Sequence, residues 1–316
     1  MCVIVSSGTA AIECALSAVN LKKGDEVIIP SFTIVSCLNT VLRLGAKPVV
    51  VDVNKETWLT NEEDIVKKIN KKTKAILVVH SFGNCVDVIK LKRLIKNKKI
   101  KIIEDCAEAF GAEIRNKLAG TMGDISTFSF YANKTITAGE GGMVITKKKD
   151  FFLRVEKYKN LFFGQKERFN HEEIGFNYRM TDLQAALAYS QFLQYKKNMS
   201  IMKRNISIYK KFLNTEKIIF QKINKNCNNV WWMVAFVLKN HKAIDLINFL
   251  KKNKIDSRNL FKPLDSMKFF RNKRKIKSKN SEYLYKHGLY IPSGYDLDVS
   301  QIKKVSKICN IFFNKE

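Results

Sequence analysis

In the run Ser126-Thr-Phe-Ser129-Phe-Tyr131-Ala-Asn-Lys134-Thr-Ile-Thr-Ala-Gly139-Glu-Gly-Gly142, a lysine follows Ser129 by five positions and stands just ahead of a glycine-rich turn. Residues 126–130 alternate small polar with aromatic side chains, the period of a half-buried strand. Lys134 therefore falls beyond the strand's end, where α/β proteins gather reactive groups. Most of the 57 lysines and arginines are solvated charges, but one placed there is partly desolvated. Desolvation disfavours the ammonium form and leaves an amine able to condense with an aldehyde as a Schiff base.

A Schiff-base lysine points to pyridoxal 5'-phosphate, which needs three further groups. A carboxylate must face the pyridine nitrogen, and Lys101-Ile-Ile-Glu-Asp105-Cys-Ala-Glu108 ends a β-branched strand in an acidic pair. Asp105 is the candidate, because its charge keeps the ring protonated and hence an electron sink; alone it also reads as a strand-end or helix-capping aspartate. Glu108 either reaches the phenolic oxygen or faces solvent. The phosphate needs a cradle, and Ser7-Gly8-Thr9 opens into apolar positions Ile12, Ala15, Leu16 and Val19, an amphipathic helix spacing. The free N–H groups at such a helix start, with the hydroxyls of Thr9 and Ser129, suit a phosphate dianion. Finally, the segment following Ile29-Pro-Ser-Phe-Thr33 offers Ile34 to cover the ring.

Outward from these motifs, apolar strands at 26–29, 48–53, 75–79, 101–103, 126–130 and 142–145 alternate with helical stretches at 61–69 and 88–94. That alternation predicts an α/β fold with a mainly parallel central sheet flanked by helices on both faces. After about residue 180 the pattern changes to a long helix from near Thr181 past Tyr195 towards Leu213, a strand at 230–238, and helices near 243–251 and 299–313. We read residues 1–180 as a large cofactor-binding α/β domain, and 181–316 as a linking helix with a small C-terminal α+β domain. The Lys/Asn-rich segment 222–229 and the basic segment 268–279 read as exposed loops.

These motifs, in this order, resemble the DegT/DnrJ/EryC1/StrS family of sugar aminotransferases. The resemblance runs through Ser7-Gly-Thr-Ala-Ala11, Gly24-Asp-Glu-Val-Ile28, Pro30-Ser-Phe-Thr33, Glu104-Asp-Cys-Ala-Glu108, Asn133-Lys134, Gly139-Glu-Gly-Gly142, Gly175-Phe-Asn177-Tyr-Arg-Met180 and Ile291-Pro-Ser293. It implies a type I PLP-dependent aminotransferase fold and a homodimer with sites at the subunit interface. It also implies amino transfer from glutamate to a nucleotide-linked keto sugar. On this likeness Lys134 anchors the cofactor, Asp105 pairs with its ring nitrogen, Gly8, Thr9 and Ser129 bind its phosphate, and Asn177 reaches that phosphate from the neighbouring subunit. The run 128–143, with Tyr131 where many members carry histidine, looks closest to the perosamine-forming branch acting on GDP-4-keto-6-deoxymannose. Tyr131 then borders the sugar, and Arg258 and Lys262, in Ser257-Arg-Asn-Leu-Phe-Lys-Pro263, suit a diphosphate.

The chain departs from the family at two places. Position 34 is usually aromatic there, so Ile34 implies weaker cofactor retention by loss of a stacking contribution of roughly 0.5–1.5 kcal/mol. Members also usually carry a few dozen residues ahead of the position matching Met1, which makes a truncated, inactive or regulatory member the alternative reading.

Composition narrows the remaining classes. At 316 residues and 46% hydrophobic, the chain can bury a large core. The formal charge of +28 is spread through Lys-Lys and Lys-Asn clusters, which reads as a solvated surface and not as a specific nucleic-acid partner. Seven cysteines without a Cys-x-x-Cys pair and four scattered histidines imply neither disulfides nor a metal site. No membrane-length apolar run and no signal-peptide pattern are present, so a cytoplasmic enzyme without membrane partners is expected.

Overall fold

The computed structural model describes residues 1–164, 167, 169–271 and 277–314. Its first half carries strands β1 (Cys2–Val5), β2 (Glu26–Pro30), β3 (Lys47–Val51), β4 (Thr73–Val79), β5 (Lys101–Asp105), β6 (Glu113–Ile114), β7 (Lys117–Leu118), β8 (Ile125–Ser129) and β9 (Gly142–Thr146). Seven of them form one sheet in the order β1-β9-β8-β5-β4-β2-β3. Pairing is parallel from β3 through β2, β4 and β5 to β8, while β9 runs antiparallel to both β8 and β1.

Alternation along the strands divides the apolar residues between two cores, as a sheet covered on both faces requires. Val27, Ile29, Ala75, Leu77 and Val79 pack on one face with α1 (Gly8–Ala18), while Ile28, Ile76, Val78 and Ile102 pack on the other. The first face is completed by α2 (Ser36–Arg43), and the second by α3 (Glu62–Val66) and α4 (Val88–Leu94); α5 (Lys149–Lys159) returns to the first. Helix α1 is more enclosed than an amphipathic helix, since every residue from Ala10 to Ala18 is buried. Its one buried charge, Glu13, is met by the Tyr158 and Tyr178 hydroxyls at 2.8 and 3.2 Å and by Arg43 at 3.3 Å.

The second half begins with α6 (Asp182–Leu193) and α7 (Tyr195–Phe212), where one long helix was expected. Thr181 caps α6 through a reciprocal capping box with Gln184. The break falls at Gln194, whose N–H bonds Gln191 O; the next residue, Tyr195, is tied to the first half by its hydroxyl on Phe110 O at 3.1 Å. Strands β10 (Ile218–Phe220), β12 (Val234–Leu238), β13 (Arg258–Asn259) and β14 (Gly288–Ile291) form an antiparallel sheet in the order β10-β12-β14-β13, and β11 (Cys227–Asn228) instead joins β6 and β7. Helices α7, α8 (Ala243–Lys252) and α11 (Val299–Phe313) cover this sheet, with α9 (Lys268–Arg271) and α10 (Lys279–His287) between the last two.

Two loop expectations change. Segment 222–229 is not a free loop: besides β11, the Asn224 side chain donates to Cys85 O and its backbone N–H to Asn84 Oδ1. The strand expected at 230–238 starts only at Val234, because the preceding residues are held elsewhere, Val230 N–H by Gly83 O and Trp232 Nε1–H by Asn133 O. Of the basic segment 268–279, residues 268–271 form α9, and 272–276 lie outside the described residues.

Candidate active site

Strand register gathers the site. Val79 lies beside Asp105 and Asp105 beside Thr127, so the carboxyl ends of β4, β5 and β8 open on one edge of the sheet. The start of α1 meets that edge: a Cβ on Gly8 would stand 2.8 Å from Ser129 Cβ and 2.9 Å from its Oγ. Only a residue without a side chain lets the helix start come so close to the end of β8.

Between them lies a cavity of about 460 Å³. Nine of the residues singled out in the sequence line it: Gly8, Thr9, Ile34, Asp105, Glu108, Ser129, Tyr131, Lys134 and Arg258. At the helix start, Ser7 Oγ accepts from Ala10 N–H and Ser7 O from Ala11 N–H. The N–H groups of Gly8 and Thr9, the first in the helix, have no intrahelical acceptor, and Thr9 Oγ1 and Ser129 Oγ flank them.

The charged groups are deeply set. Lys134 Nζ lies 3.7 Å from Glu108 Oε1, and burial pulls its pKa below the ordinary lysine value against the opposing pull of Glu108 and Asp105. Burial pushes the Glu108 carboxyl up to about 7, although Lys134 and the Phe82 N–H, at 2.8 Å from Oε2, favour its charged form. Glu108 is thus a cavity residue and not a solvated one. Asp105 is raised by burial too, opposed by the Ala107 N–H on Oδ1 at 3.0 Å and by Lys134. Its Oδ2 faces Cys37 Sγ at 3.6 Å, a weak donor that leaves a buried carboxylate able to take a stronger cationic one. That oxygen suits a protonated pyridine nitrogen, and the Gly8–Ser129 corner suits a phosphate, so the residues present fit pyridoxal phosphate.

Two residues fall outside this cavity. Lys262 is exposed and does not line this cavity, its ammonium lying 5.9 Å from the centre of the Tyr285 ring. Asn177 is exposed and bridges Asn160, so within its own chain it does not reach the phosphate corner. His80, at the end of β4, also stays out: Nδ1 accepts from Val86 N–H and Nε2 donates to Glu104 Oε2 at 3.0 Å.

The structure adds residues the motifs did not single out. Trp232 lays its ring 3.9 Å from Lys134 Nζ, and Phe82, Phe261 and Tyr290 complete the wall. Trp232 lies in a Trp-Trp pair ahead of a strand, a pattern that reads as core packing from sequence alone.

Comparison with known proteins agrees with this geometry. The sequence profile of the DegT/DnrJ/EryC1/StrS aminotransferase family matches residues 1–310. The chain is similar to a GDP-perosamine synthase of Escherichia coli O157:H7, 37% identical over 98% of this chain and 85% of that protein. It is 34% identical to a GDP-perosamine synthase of Vibrio cholerae, over 98% of this chain and 86% of that protein. In fold it resembles the PLP form of a putative sugar aminotransferase, Spr1654 from Streptococcus pneumoniae, with a TM-score of 0.89 at 21% identity over 98% of this chain and 87% of that one. The chain belongs to the DegT/DnrJ/EryC1/StrS aminotransferase family, and by that membership its cofactor is pyridoxal 5'-phosphate.

Proposed function

We propose that this aminotransferase moves an amino group from glutamate to C4 of a nucleotide-linked 4-keto-6-deoxy sugar of the perosamine type, for surface-polysaccharide assembly. The observation that carries the reading is the pairing of a near-full-length likeness to two GDP-perosamine synthases with a cavity in which Lys134, Asp105 and Glu108 converge. The same convergence speaks against an inactive or regulatory member.

Bound pyridoxal phosphate supplies the electron sink that lets amino groups be exchanged. Lys134 anchors it, and once its amine is free, Nζ takes up and returns a proton inside the cavity. Asp105 holds a negative charge at the end of β5, Gly8, Thr9 and Ser129 hold the phosphate, and Glu108 keeps Lys134 in place. Arg258 stands on the outer wall, where a sugar diphosphate enters, and Tyr131 is half exposed at the rim.

We further read the active form as a homodimer. Helix α6 buries none of its residues, and Leu183, Tyr189, Phe192 and Leu193 are exposed along it, an apolar surface of the kind partners cover. In such a dimer Asn177 completes the partner's phosphate corner. We read two units dividing near residue 180, since one apolar cluster draws only on the C-terminal half, while a second joins Ala235, Val237, Leu260 and Leu284 to Phe32, Val53, Trp58 and Phe82 across the division. Free, mostly buried cysteines suit a reducing compartment, and we place the reaction in the cytoplasm. Among the described residues no helix is long and apolar enough to cross a membrane.

The test is sequential. Glutamate added to the PLP-loaded protein should bleach its visible absorbance, and GDP-4-keto-6-deoxymannose should then restore it while yielding the amino sugar by mass spectrometry. Lys134→Arg should abolish both. Full turnover by that variant would sink the assignment of Lys134, and bleaching without sugar amination would sink the substrate.

A further inference from the structure

We propose that Trp232 is a positioning residue for Lys134, holding the free amine between its indole face and the Glu108 carboxylate. The proposal rests on the reading that Lys134 anchors the cofactor. Two contacts reach the same short stretch. The ring centre lies 3.9 Å from Lys134 Nζ, and Nε1–H donates to Asn133 O, one residue earlier, at 2.8 Å. On the other side, Glu108 Oε1 lies 3.7 Å from Nζ. The lysine is gripped by its backbone neighbour and by its charge.

The ring itself is fixed. Trp232 is only 8% exposed, with Phe82 at 5.2 Å, Phe261 at 6.5 Å and nearly parallel to it, and Tyr290 at 6.4 Å. It is carried by the stretch between β11 and β12, pinned to the first half by Val230 N–H on Gly83 O. Trp232 thus comes from the C-terminal half, while Lys134 and Glu108 come from the N-terminal half.

The chemistry gives this a purpose. A lysine side chain is a flexible stem, and once its amine is free it must hold a proton over the cavity without swinging to solvent. An aromatic face attracts the ammonium form, and the carboxylates of Glu108 and Asp105 act in the same sense, while burial acts against them. Among the described residues, Glu140 of the N-terminal half and Arg258 of the C-terminal half are the further charged groups lining this space. Loss of the ring face therefore shifts Lys134 towards its neutral form.

Competitive acetylation of the cofactor-free protein with acetic anhydride, read lysine by lysine by mass spectrometry across pH, measures that shift without any turnover. Trp232→Leu keeps an apolar cover but has no π face, and the apparent pKa of Lys134 should fall by about 0.5–1.5 pH units. Trp232→Phe keeps a weaker face and should fall by less, which also covers the case that the leucine variant does not fold. A Lys134 pKa that is unchanged or raised in the folded variants would overturn the proposal, since a mere lid admits water on removal and raises it. Borohydride reduction of the wild-type protein with pyridoxal phosphate reports separately on the anchor: a label absent from Lys134 refutes the functional reading, whatever Trp232 does.

Discussion

Lys134 Nζ and Glu108 Oε1 face each other at 3.7 Å at the buried end of the cavity, and each favours the charged form of the other while burial opposes both. The balance makes the cofactor-free protein pH-sensitive. Glu108 rises from an ordinary 4.5 to about 7, so between those values the folded state binds more protons than the unfolded one. Stability from this group is full at the acid end and is lost as pH rises through about 7, by up to roughly 3 kcal/mol. The lowered Lys134 acts in the opposite sense, its stability being full above the ordinary lysine value and lost as pH falls through its depressed pKa. Glu108→Gln should flatten the loss of melting temperature between about pH 5 and pH 8; an unchanged slope would refute the assignment.

Gly8→Ala should weaken cofactor binding and leave the fold intact. The new Cβ would meet Ser129 Cβ at 2.8 Å and push its hydroxyl off the phosphate corner, while Gly8 has no left-handed backbone to strain. A hydrogen bond to a charged group is worth about 1.5–3 kcal/mol, so the Kd for pyridoxal phosphate should rise roughly ten- to a hundredfold. Fluorescence titration measures it, and wild-type affinity would show that this corner does not hold the phosphate.

If the proposed homodimer pairs through α6, charges placed on that helix should separate its subunits without unfolding them. Leu183 and Leu193 are 86% and 67% exposed in the single chain, so the double variant Leu183→Asp/Leu193→Asp disturbs little of its packing. Sedimentation should report a monomer with native circular dichroism and little turnover. A variant that sediments as the wild type does would refute pairing through α6.

Asp52→Ala should loosen the joint between the two halves. Its carboxylate accepts from Asn280 N–H at 2.9 Å, Ser281 N–H at 3.0 Å and Ser281 Oγ at 2.7 Å, all in the first turn of α10, and from Val53 N–H at 2.8 Å. Removing it strips a negative charge from a helix start and leaves several donors unpaired, at a cost of about 2–4 kcal/mol. Denaturant unfolding measures this, and a loss below about 0.5 kcal/mol, the range of an ordinary surface change, would contradict it.

Much of the candidate site's placement is legible in the sequence. Helix α4 and the terminal helix α11 have the bounds that periodicity assigns them, and the strands around Lys134 and Asp105 lie within two residues of their expected ends. Nine of eleven site candidates line one cavity. Gly8, Thr9, Ile34, Asp105, Ser129 and Lys134 sit at strand ends, turns or helix starts that the pattern of apolar and small residues already marks, whereas Tyr131 and Arg258 were singled out through the family resemblance. Lys262 shows the limit: Ser257–Pro263 resembles a family segment, but nothing local decides whether its ammonium turns to the cavity or to Tyr285.

By itself, the sequence determined an α/β sheet with a lysine and an aspartate just beyond or at the ends of its strands and a glycine-opened helix start beside them. The tertiary structure alone decided the break at Gln194, the anchoring of segment 222–232, the Cys37–Asp105 contact and the placing of Trp232 on Lys134, 99 residues away from the carbonyl its indole binds. The division follows from range. Periodicity records which face of an element is buried, whereas contacts between distant segments depend on how separately formed elements pack, and different partners can satisfy the same local pattern.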